Sequence, residues 1–431
     1  MKTNGNTIDS LIKIPLLEKI QLLLFCLFVC TLTLDTRANS AFLICLLVSL
    51  LFSFRTSNIK QFRVPLLFFG AGFIFSCLGL FWSDYRHEGR MVIERQLALL
   101  FLPLMLFGAF NYQRIKFKSI LVLFYLSIAV ISMYLLKCFA INFLNSHVAL
   151  KDFTVKENLY HAFARPIGMH ATYLSLYVAL AIFVGLYWLL ENLKWWLKSA
   201  IFLSNLILVI TLTLLSSRVV IFSLVFIVFF VYPFFIGKLR NKPVLLVGGI
   251  AILLTFFFII RESSFITSRF IDKMDDEVKM TSFLTRDSTY NPIYGGETRA
   301  DRWYCALELI REKTGIGYGT GSEKAMLMTK YKRYDLQNAV INGYDSHNQY
   351  LAYGIKGGVF ALTFFIMSVL FGLYISIKQK NFLYLAFILL FASACITENV
   401  LESNKGIFFY AFFNTLLCFS CLKNLTPSKE E

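Results

Sequence analysis

Apolar residues in this chain come in long blocks that short polar segments separate. Each block approaches the ~20 consecutive apolar residues that a helix needs to cross a lipid bilayer. The blocks are residues 17–34, 39–54, 65–82, 96–110, 119–138, 171–190, 199–216, 219–236, 243–260, 349–377, 382–397 and 406–422. The pattern predicts an all-α, polytopic integral membrane protein with about twelve transmembrane helices.

Composition agrees with a lipid environment. Hydrophobic residues make up 57% of the 431 residues, and charged residues only 16%. Soluble domains usually carry about 25% charged residues. Buried helices of a soluble protein imitate one or two such blocks, but not a whole series of them. The composition therefore disfavours a soluble protein.

Basic residues occupy every second connection between the blocks. These connections carry Arg55, Lys60 and Arg63; Arg114, Lys116 and Lys118; Lys194 and Lys198; Lys238, Arg240 and Lys242; and Lys378 and Lys380. The positive-inside rule assigns them, and both termini, to the cytoplasm. The formal charge of +16 is then mainly a topology signal. Nucleic acid is not an expected partner, because the basic residues do not form one coherent face.

This topology divides the chain into three parts. Residues 1–260 hold transmembrane helices 1–9, residues 261–348 form a large outer loop, and residues 349–431 hold helices 10–12 and a cytoplasmic tail. The loop is too long to be a simple connector, so we expect the function on the outer face. In its second half, the stretch ETRADRWYCALELIREK predicts a helix, and TGIGYGTGS predicts a glycine-rich turn.

Two residues at outer ends of the blocks are candidates for chemistry. Arg218 lies between two blocks with only Ser216 and Ser217 as polar neighbours. A charge near lipid is costly, which favours a function, and the alternative is an arginine that only reaches to the interface. His347 directly precedes a block. Histidine suits a general base at neutral pH, and the alternative is that His347 and Asn348 cap the helix.

Glycines follow His347 at helical spacing. In a helix that starts at His347, Leu351, Gly354 and Gly358 share its face. The glycines would leave a groove beside the histidine for a polyprenyl tail or for a neighbouring helix.

Several short motifs occur in a fixed order along the chain. Arg299 and Trp303 are four residues apart, GIGYG follows at 315–319, and HNQYL begins at His347 and leads to Gly357 and Gly358. The stretches LFWSDYRHEGRMVIERQLALLFLPLMLF, LLSSRVVIFSL and ESNKGIFFYAFFN complete the set. This order, on a profile of many spans, resembles the O-antigen ligase and O-antigen polymerase family, bacterial lipid-linked glycan ligases that are GT-C-like membrane glycosyltransferases.

The resemblance implies an activity and its partners. Such enzymes move a glycan from an undecaprenyl-diphosphate carrier to an acceptor on the periplasmic face of the bacterial inner membrane. In a ligase the acceptor is the lipid A–core oligosaccharide, and in a polymerase it is another lipid-linked repeat. We expect the ligase reaction, with the polymerase as the alternative. We further expect inversion at the anomeric carbon, no metal or other cofactor, and membrane lipids as partners.

The chemistry of this transfer suggests three catalytic residues. A departing diphosphate is a weak base, so it requires positive charge more than a proton. Arginine engages phosphate oxygens with a fork of donors and stays charged near lipid. We therefore expect Arg218 and Arg299 to bind the diphosphate. His347 would deprotonate the acceptor hydroxyl, a contribution of ~10²–10⁴-fold.

Five further residues are candidates for substrate binding: Arg302, Arg95, Arg165, His170 and Asn348. Structural roles compete with each of them. Arg302 has Asp301 and Glu297 as ion-pair partners within reach, and Arg95 has Glu94. Arg165 and His170 stand where the sixth span starts, so a helix-start role is equally open. Glu398 and Glu402, one helical turn apart, are candidates to hold one of the arginines.

The outer loop gives no strong metal or disulfide signal. The acidic run at residues 275–277 has no acidic partners at matched spacing, so a solvated loop is the favoured interpretation. Of the nine cysteines only Cys305 lies in this loop, which leaves it without an internal disulfide.

A transporter of lipid-linked glycans is the alternative from another class. Transporters need charged residues along a path across the membrane, and many are built from two related halves. Here the charged residues gather at outer ends, no paired halves are evident, and a transporter would not need the long outer loop. The sequence therefore favours an enzyme.

Overall fold

A computed structural model of the chain describes residues 16–34, 36–109, 117–154, 157–236 and 298–423. Among these residues there are helices and turns but no β-strand, in agreement with the predicted all-α class. The helices are α1 Leu16–Thr31, α2 Thr36–Leu51, α3 Thr56–Gly79, α4 Arg86–Ala109, α5 Phe117–Ser146, α6 Leu150–Phe153, α7 His161–Ala164, α8 Ala171–Leu189, α9 Trp195–Leu214, α10 Arg218–Phe226, α11 Tyr232–Ile236, α12 Arg299–Glu312, α13 Glu323–Arg333, α14 Gln337–Asn342, α15 Gln349–Lys378, α16 Phe382–Thr397 and α17 Asn404–Lys423. A π-helical stretch, Ile227–Val231, joins α10 to α11, and 3-10 turns form at Arg165–Ile167 and Val400–Glu402.

Eight helical segments of the described chain are long and apolar enough to cross a membrane. They are Ile59–Gly79, Arg86–Ala109, Phe117–Ser146, Ala171–Leu189, Trp195–Leu214, Arg218–Phe235, Gln349–Lys378 and Asn404–Leu422. Helices α1, α2 and α16 cover three further apolar blocks but are shorter. The block at 243–260 lies outside the described residues, as do the acidic run at 275–277 and Glu297. The chain is thus a polytopic helical membrane protein, and the count of twelve spans stays a prediction.

Aromatic rings hold the centre of the bundle together. Helices α8 and α17 are the most buried of the eight segments. The Tyr177 ring of α8 meets the Phe409 ring of α17 edge to face at 5.0 Å, and Phe124 of α5 meets Phe413 at 4.6 Å. Such contacts matter because lipid removes the hydrophobic drive for helix association and leaves shape and dispersion to hold the helices.

The ends of the helices sort into two groups. At one end, the Lys405 Nζ donates to the Leu32 carbonyl at 2.8 Å, and the Gln96 Nε2 donates to the Leu401 carbonyl at 3.1 Å. At the other end, Lys118 pairs with Glu191 at 3.1 Å. We call the first group, which includes the connections at 32–34, 80–85, 160–170, 215–217 and 398–403, the site end of the bundle. Two long helices that such a connection joins therefore run in opposite directions, whereas the orientation expected from the basic connections stays a prediction.

Helix α15 is broken near its start by a pair of glycines. Gly357 leaves helical geometry, and Gly358 has φ +61° and ψ −157°, a conformation nearly restricted to glycine. The glycine-rich turn at 315–321 fills the break. The backbone N–H groups of Tyr318 and Gly319 donate to the carbonyls of Ile355 and Lys356, at 2.8 and 2.9 Å. The backbone groups that the break releases thus regain partners, as they must away from water.

The same turn also joins the first connection of the site end. The Thr320 N–H donates to the Gly79 carbonyl at 3.1 Å, and the Ser83 hydroxyl donates to the Thr320 carbonyl at 2.7 Å. A Cβ at Gly319 would lie 2.6 Å from the Ser83 Cα. Only glycine allows this approach, so the turn fixes the segment 298–348 to both α3 and α15.

The groove expected beside His347 is closed, so its assignment to a polyprenyl tail is wrong. Helix α15 begins after His347, and its break separates Gly354 from Gly358. A Cβ on Gly354 would lie 2.6 Å from the Ile310 Cδ1 of α12, and one on Gly358 would lie 2.0 Å from the Gly315 carbonyl oxygen. The chain's own segment 298–348 occupies the space, which corresponds to the neighbouring-helix alternative.

We expect Gly358→Ala to destabilise the protein. Strain in this backbone region costs about 1–3 kcal/mol, and the clash with the Gly315 carbonyl adds to it. Gly315→Ala is the matched control, because its Cβ would meet nothing within 4 Å. Thermal unfolding of the purified proteins in one detergent measures the difference. Equal midpoints for the two variants would contradict the role given to the break.

Candidate active site at the site end of the bundle

In the loop between α14 and α15, Asn348 rather than His347 caps helix α15. Asn348 is the N-cap of α15, and its Oδ1 accepts the N–H groups of Tyr350 and Leu351 at 3.0 and 3.2 Å. The Asp345 Oδ1 accepts the backbone N–H of His347 at 2.8 Å, and His347 has φ +47°. The sequence offered two roles for this stretch, a general base or a helix cap. Asn348 takes the capping role, and the His347 ring does not cap the helix.

Glu398 joins His347 to Arg299. The His347 Nδ1 lies 3.5 Å from the Glu398 Oε2 and 3.3 Å from the Asp345 Oδ1. The Arg299 Nη2 lies 3.6 Å from the Glu398 Oε1. Of the two acidic residues expected to hold an arginine, Glu398 thus does so. Carboxylates at Nδ1 hold the ring proton there and leave Nε2 able to accept another proton.

Glu398 is ionised at neutral pH. Its side chain is only 10% exposed, and burial alone would raise its pKa. The hydrogen bond from His347 and the charge of Arg299 outweigh the burial, with further help from His347 and His170, so the pKa lies below its usual value. The carboxylate is therefore a fixed negative charge between the arginine and the imidazole.

Helix α12 brings Arg299 to this point. Thr298 and Asp301 form a capping box that fixes the start of the helix. Trp303, one turn beyond Arg299, donates its Nε1–H to the Ser346 carbonyl at 3.0 Å. The four-residue spacing of Arg299 and Trp303 puts both on one face, so the tryptophan anchors the helix to the His347 loop while the arginine reaches Glu398.

Arg302 approaches the site through an aromatic ring. Its guanidinium lies 4.7 Å from the centre of the Tyr344 ring, and the Tyr344 ring lies 5.6 Å from that of His347. Asp301 is engaged in the cap of α12. A cation over a tyrosine face is attracted to the ring, so Arg302 holds Tyr344 in place beside the histidine.

His170 lies close to the Arg299–Glu398 pair. It is the N-cap of α8, where its Nδ1 accepts the Thr172 N–H at 3.3 Å, so the helix-start role is confirmed. Its ring lies 4.2 Å from the His161 ring and 5.3 Å from the Tyr173 ring. Desolvation against these rings lowers the pKa of His170, which the nearby Glu398 carboxylate only partly opposes. A neutral imidazole therefore stands beside the charged Arg299–Glu398 pair.

Arg218 is the first residue of α10, at the same end of the bundle. The tight turn before it contains Ser216, which is buried and has φ +48°. Just upstream, the Leu214 carbonyl accepts the Tyr160 N–H at 3.1 Å, and the Tyr160 ring lies 6.5 Å from that of His170. Arg218 thus begins its helix a few residues after Leu214, which contacts the Tyr160 backbone. Its action on a diphosphate together with Arg299 stays a prediction.

The two remaining arginines lie to either side. Arg95 does not pair with Glu94, and its guanidinium donates to the carbonyls of Met91 and Glu402 at 3.1 and 3.2 Å. Arg165 lies in the 3-10 turn before α8 and lines a cavity of about 400 Å³. The wall of this cavity also contains Leu135, Cys138, Phe139, Asn142, Phe153, Glu157, Asn158, Ala162, Phe163 and Pro166.

Two buried charged residues near the site, Lys356 and Glu323, were not among the candidates from the sequence. Lys356, in the first turns of α15, is 6% exposed and pairs with the Glu402 carboxylate, so the Glu402 side chain holds a lysine and only its backbone carbonyl meets Arg95. Glu323, the first residue of α13, is buried as well. A lysine inside the apolar stretch LAYGIKGG was a signal for Lys356. No local pattern marks Glu323.

The arrangement places a group that can act as a base beside a group that can bind an anion. It offers a carboxylate-oriented imidazole next to a guanidinium, in a partly buried setting at the end of the helices. Within the described part of the chain, no three His, Cys, Asp or Glu side chains are placed to hold a metal ion.

Comparison with known proteins supports the resemblance seen in the motifs. A family model described as O-antigen ligase matches residues 203–366, from within α9 to within α15. This confirms the resemblance seen in the motifs and supports an O-antigen ligase or polymerase type of activity in general. Arg218, Arg299 and His347 lie inside the matched residues, whereas His170 and Glu398 lie outside them. A comparison with curated proteins finds no match.

The depressed pKa of Glu398 predicts a pH-dependent contribution to stability. A carboxyl whose pKa is lowered by folding stabilises the protein above its ordinary value of about 4.3, and this stabilisation is lost as the pH falls through the lowered value. Glu398→Gln should therefore unfold below the wild-type midpoint by a few degrees at neutral pH, and the gap should shrink as the pH falls below about 5. Thermal unfolding of both proteins between pH 7 and pH 3 measures this difference in midpoint.

The control for this prediction is Glu94→Gln, an exposed carboxylate on α4. Its midpoint should follow that of the wild type at every pH. A gap between wild type and Glu398→Gln that stays constant down to pH 3 would show that Glu398 is not held ionised.

Proposed function

We propose that this protein, assigned to the O-antigen ligase family by the match over residues 203–366, is an O-antigen ligase. It would transfer a glycan from an undecaprenyl-diphosphate carrier to the lipid A–core oligosaccharide on the periplasmic face of the bacterial inner membrane, with both termini in the cytoplasm. The arrangement of His347, Glu398 and Arg299 is the observation that carries this proposal.

The transfer proceeds in one displacement. His347 accepts the proton of the acceptor hydroxyl at Nε2 while the hydroxyl oxygen forms a bond to the anomeric carbon of the donor sugar. The bond from that carbon to the diphosphate oxygen breaks, and the diphosphate departs with the electron pair, so the configuration inverts. Glu398 holds the ring orientation and stabilises the imidazolium that forms. No metal ion takes part.

Positive charge on the donor side stabilises the leaving group. Arg218 and Arg299 bind the diphosphate oxygens, and Arg302 and Arg95 add to the positive potential around them. Asn348 uses its side-chain oxygen for the α15 cap, which leaves its amide N–H groups for a sugar hydroxyl. The neutral His170, beside His161, supplies a further contact to the substrate.

The cavity beside Arg165 accommodates the acceptor glycan. The rings of Phe139, Phe153 and Phe163 form its apolar side, and Asn142, Glu157 and Arg165 provide polar groups. Sugar rings have an apolar face and a polar edge, which suits such a lining. Ala162 of the cavity wall follows His161, whose ring lies 4.2 Å from that of His170, so the cavity lies near the histidine pair.

A polymerase that joins lipid-linked repeats is the second candidate, because it shares the donor chemistry and differs only in the acceptor. Purified protein that elongates lipid-linked repeats, but leaves lipid A–core unmodified, would favour it. Transport is less well supported. The ion pairs Lys356–Glu402 and Arg299–Glu398 gather at the site end of the bundle, rather than along a path through it.

We expect His347→Ala to lower transfer by ~10²–10⁴-fold, the range of general-base assistance. The assay supplies lipid-linked donor and lipid A–core to the protein in membranes and measures the glycosylated core. His87→Ala, an exposed histidine at the start of α4, is the control and should keep full activity. Full transfer by His347→Ala would refute the base assignment.

Arg218→Lys should lower kcat/KM for the lipid-linked donor by roughly 10–100-fold. Lysine keeps the charge but loses the fork of donors, and a hydrogen bond to a charged group contributes about 1.5–3 kcal/mol. Arg90→Lys, on the exposed side of α4, serves as the control. If Arg218→Lys transfers glycan at the wild-type rate, bidentate binding by this residue is ruled out.

A further inference from the structure

Glu323 collects three hydrogen bonds on one carboxylate oxygen. Its Oε1 accepts the Ser346 hydroxyl at 2.7 Å, the Ser346 backbone N–H at 3.2 Å and the Asn399 Nδ2–H at 2.9 Å. The residue is 7% exposed and lies at the start of α13, directly after the glycine-rich turn. A carboxylate so enclosed by the protein does not meet a substrate, so its role concerns the residues that it holds.

The partners of Glu323 are the neighbours of the reacting groups. Ser346 precedes His347, and Asn399 follows Glu398. A single oxygen atom thus ties the loop that carries the imidazole to the connection that carries its orienting carboxylate. The Trp303 bond to the Ser346 carbonyl brings α12, with Arg299, to the same point.

The His347 loop requires such an anchor. His347 has φ +47°, a conformation that non-glycine residues adopt at a cost of about 1–3 kcal/mol. Strain of this kind persists only where the surroundings enforce it. Without the Glu323 contacts, the loop would relax and carry the ring away from Glu398.

Charged groups on three elements surround Glu323. Burial raises its pKa to about 7, while the positive charge of Lys356 on α15 opposes that rise. Asp345, in the loop, and Glu402, after α16, act in the same direction as burial. The three donors at Oε1 require only an acceptor oxygen, which a glutamine amide at this position would also provide.

We propose that Glu323 is a positioning residue that holds His347 against Glu398 through Ser346 and Asn399. This inference rests on the proposed function, since it assigns Glu323 a part in the transfer reaction. Misplacement of a reacting group by about 1 Å can cost ~10²-fold in rate.

The test compares Glu323→Ala and Glu323→Gln in wild-type and His347→Ala backgrounds. We expect Glu323→Ala to lower kcat for glycan transfer on the order of 10²-fold, and Glu323→Gln to stay within about tenfold of the wild type, because the amide oxygen keeps the three bonds. In the His347→Ala background, Glu323→Ala should cause no further loss, because residues that act as a unit are not additive.

Further variants keep the test decisive. If Glu323→Ala fails to fold, Ser346→Ala and Asn399→Ala each remove one bond from Oε1, and each should lower transfer by about tenfold only while His347 is present. Glu312→Gln, a half-exposed carboxylate at the end of α12, is the control and should be fully active. Thermal unfolding confirms that the compared variants are folded.

The outcomes separate this inference from the proposed function. Wild-type transfer by Glu323→Ala, or an equal loss in both backgrounds, would overturn the positioning role while leaving the enzyme assignment intact. Absence of transfer by the wild-type protein, or full transfer by His347→Ala, would instead count against the proposed function itself.

Discussion

The structure depends on how the broken backbone of α15 recovers its hydrogen bonds. Helices normally satisfy their own peptide groups in lipid, so an interruption needs partners from elsewhere in the protein. The turn at 315–321 provides them, and the same turn contacts the end of α3. The segment 298–348 is thereby fixed on the bundle, with His347 at one of its ends and Arg299 at the other. This backbone pairing brings the candidate residues to the site end of the bundle, where the Trp303 and Glu323 contacts hold them.

Much of the architecture was readable from hydropathy, because lipid imposes length and composition on a helix regardless of its neighbours. All predicted blocks that fall within the described residues coincide with helices, and the loop helix predicted over 297–313 is present as α12. The predicted ends of the helices agree less well with the structure. Helix α4 begins ten residues before its apolar block, because its polar first turns rise out of the apolar region and carry Arg90 and Arg95.

The candidate site was predicted in part. His347 and Arg299 do come together, and the motif order gave both. Their link, Glu398, was visible only as one of two acidic candidates to hold an arginine. Glu323 and Lys356 were missed because their importance lies in contacts with residues far away in sequence, such as Asn399 and Glu402. The expectation of an open groove failed since glycines allow close packing by the protein itself as readily as by a lipid.

The break in α15 also sets the depth of the site relative to the bilayer. The uninterrupted part after Gly358 contains about 20 residues, or about 30 Å of helix, which equals the thickness of the hydrocarbon layer. That part alone is long enough to cross the layer, so the eight residues before Gly357, including Lys356 with its partner Glu402, are additional to a full span. In the proposed reaction, the isoprenoid chain of the carrier would stay in the membrane while its phosphates meet the arginines at headgroup height.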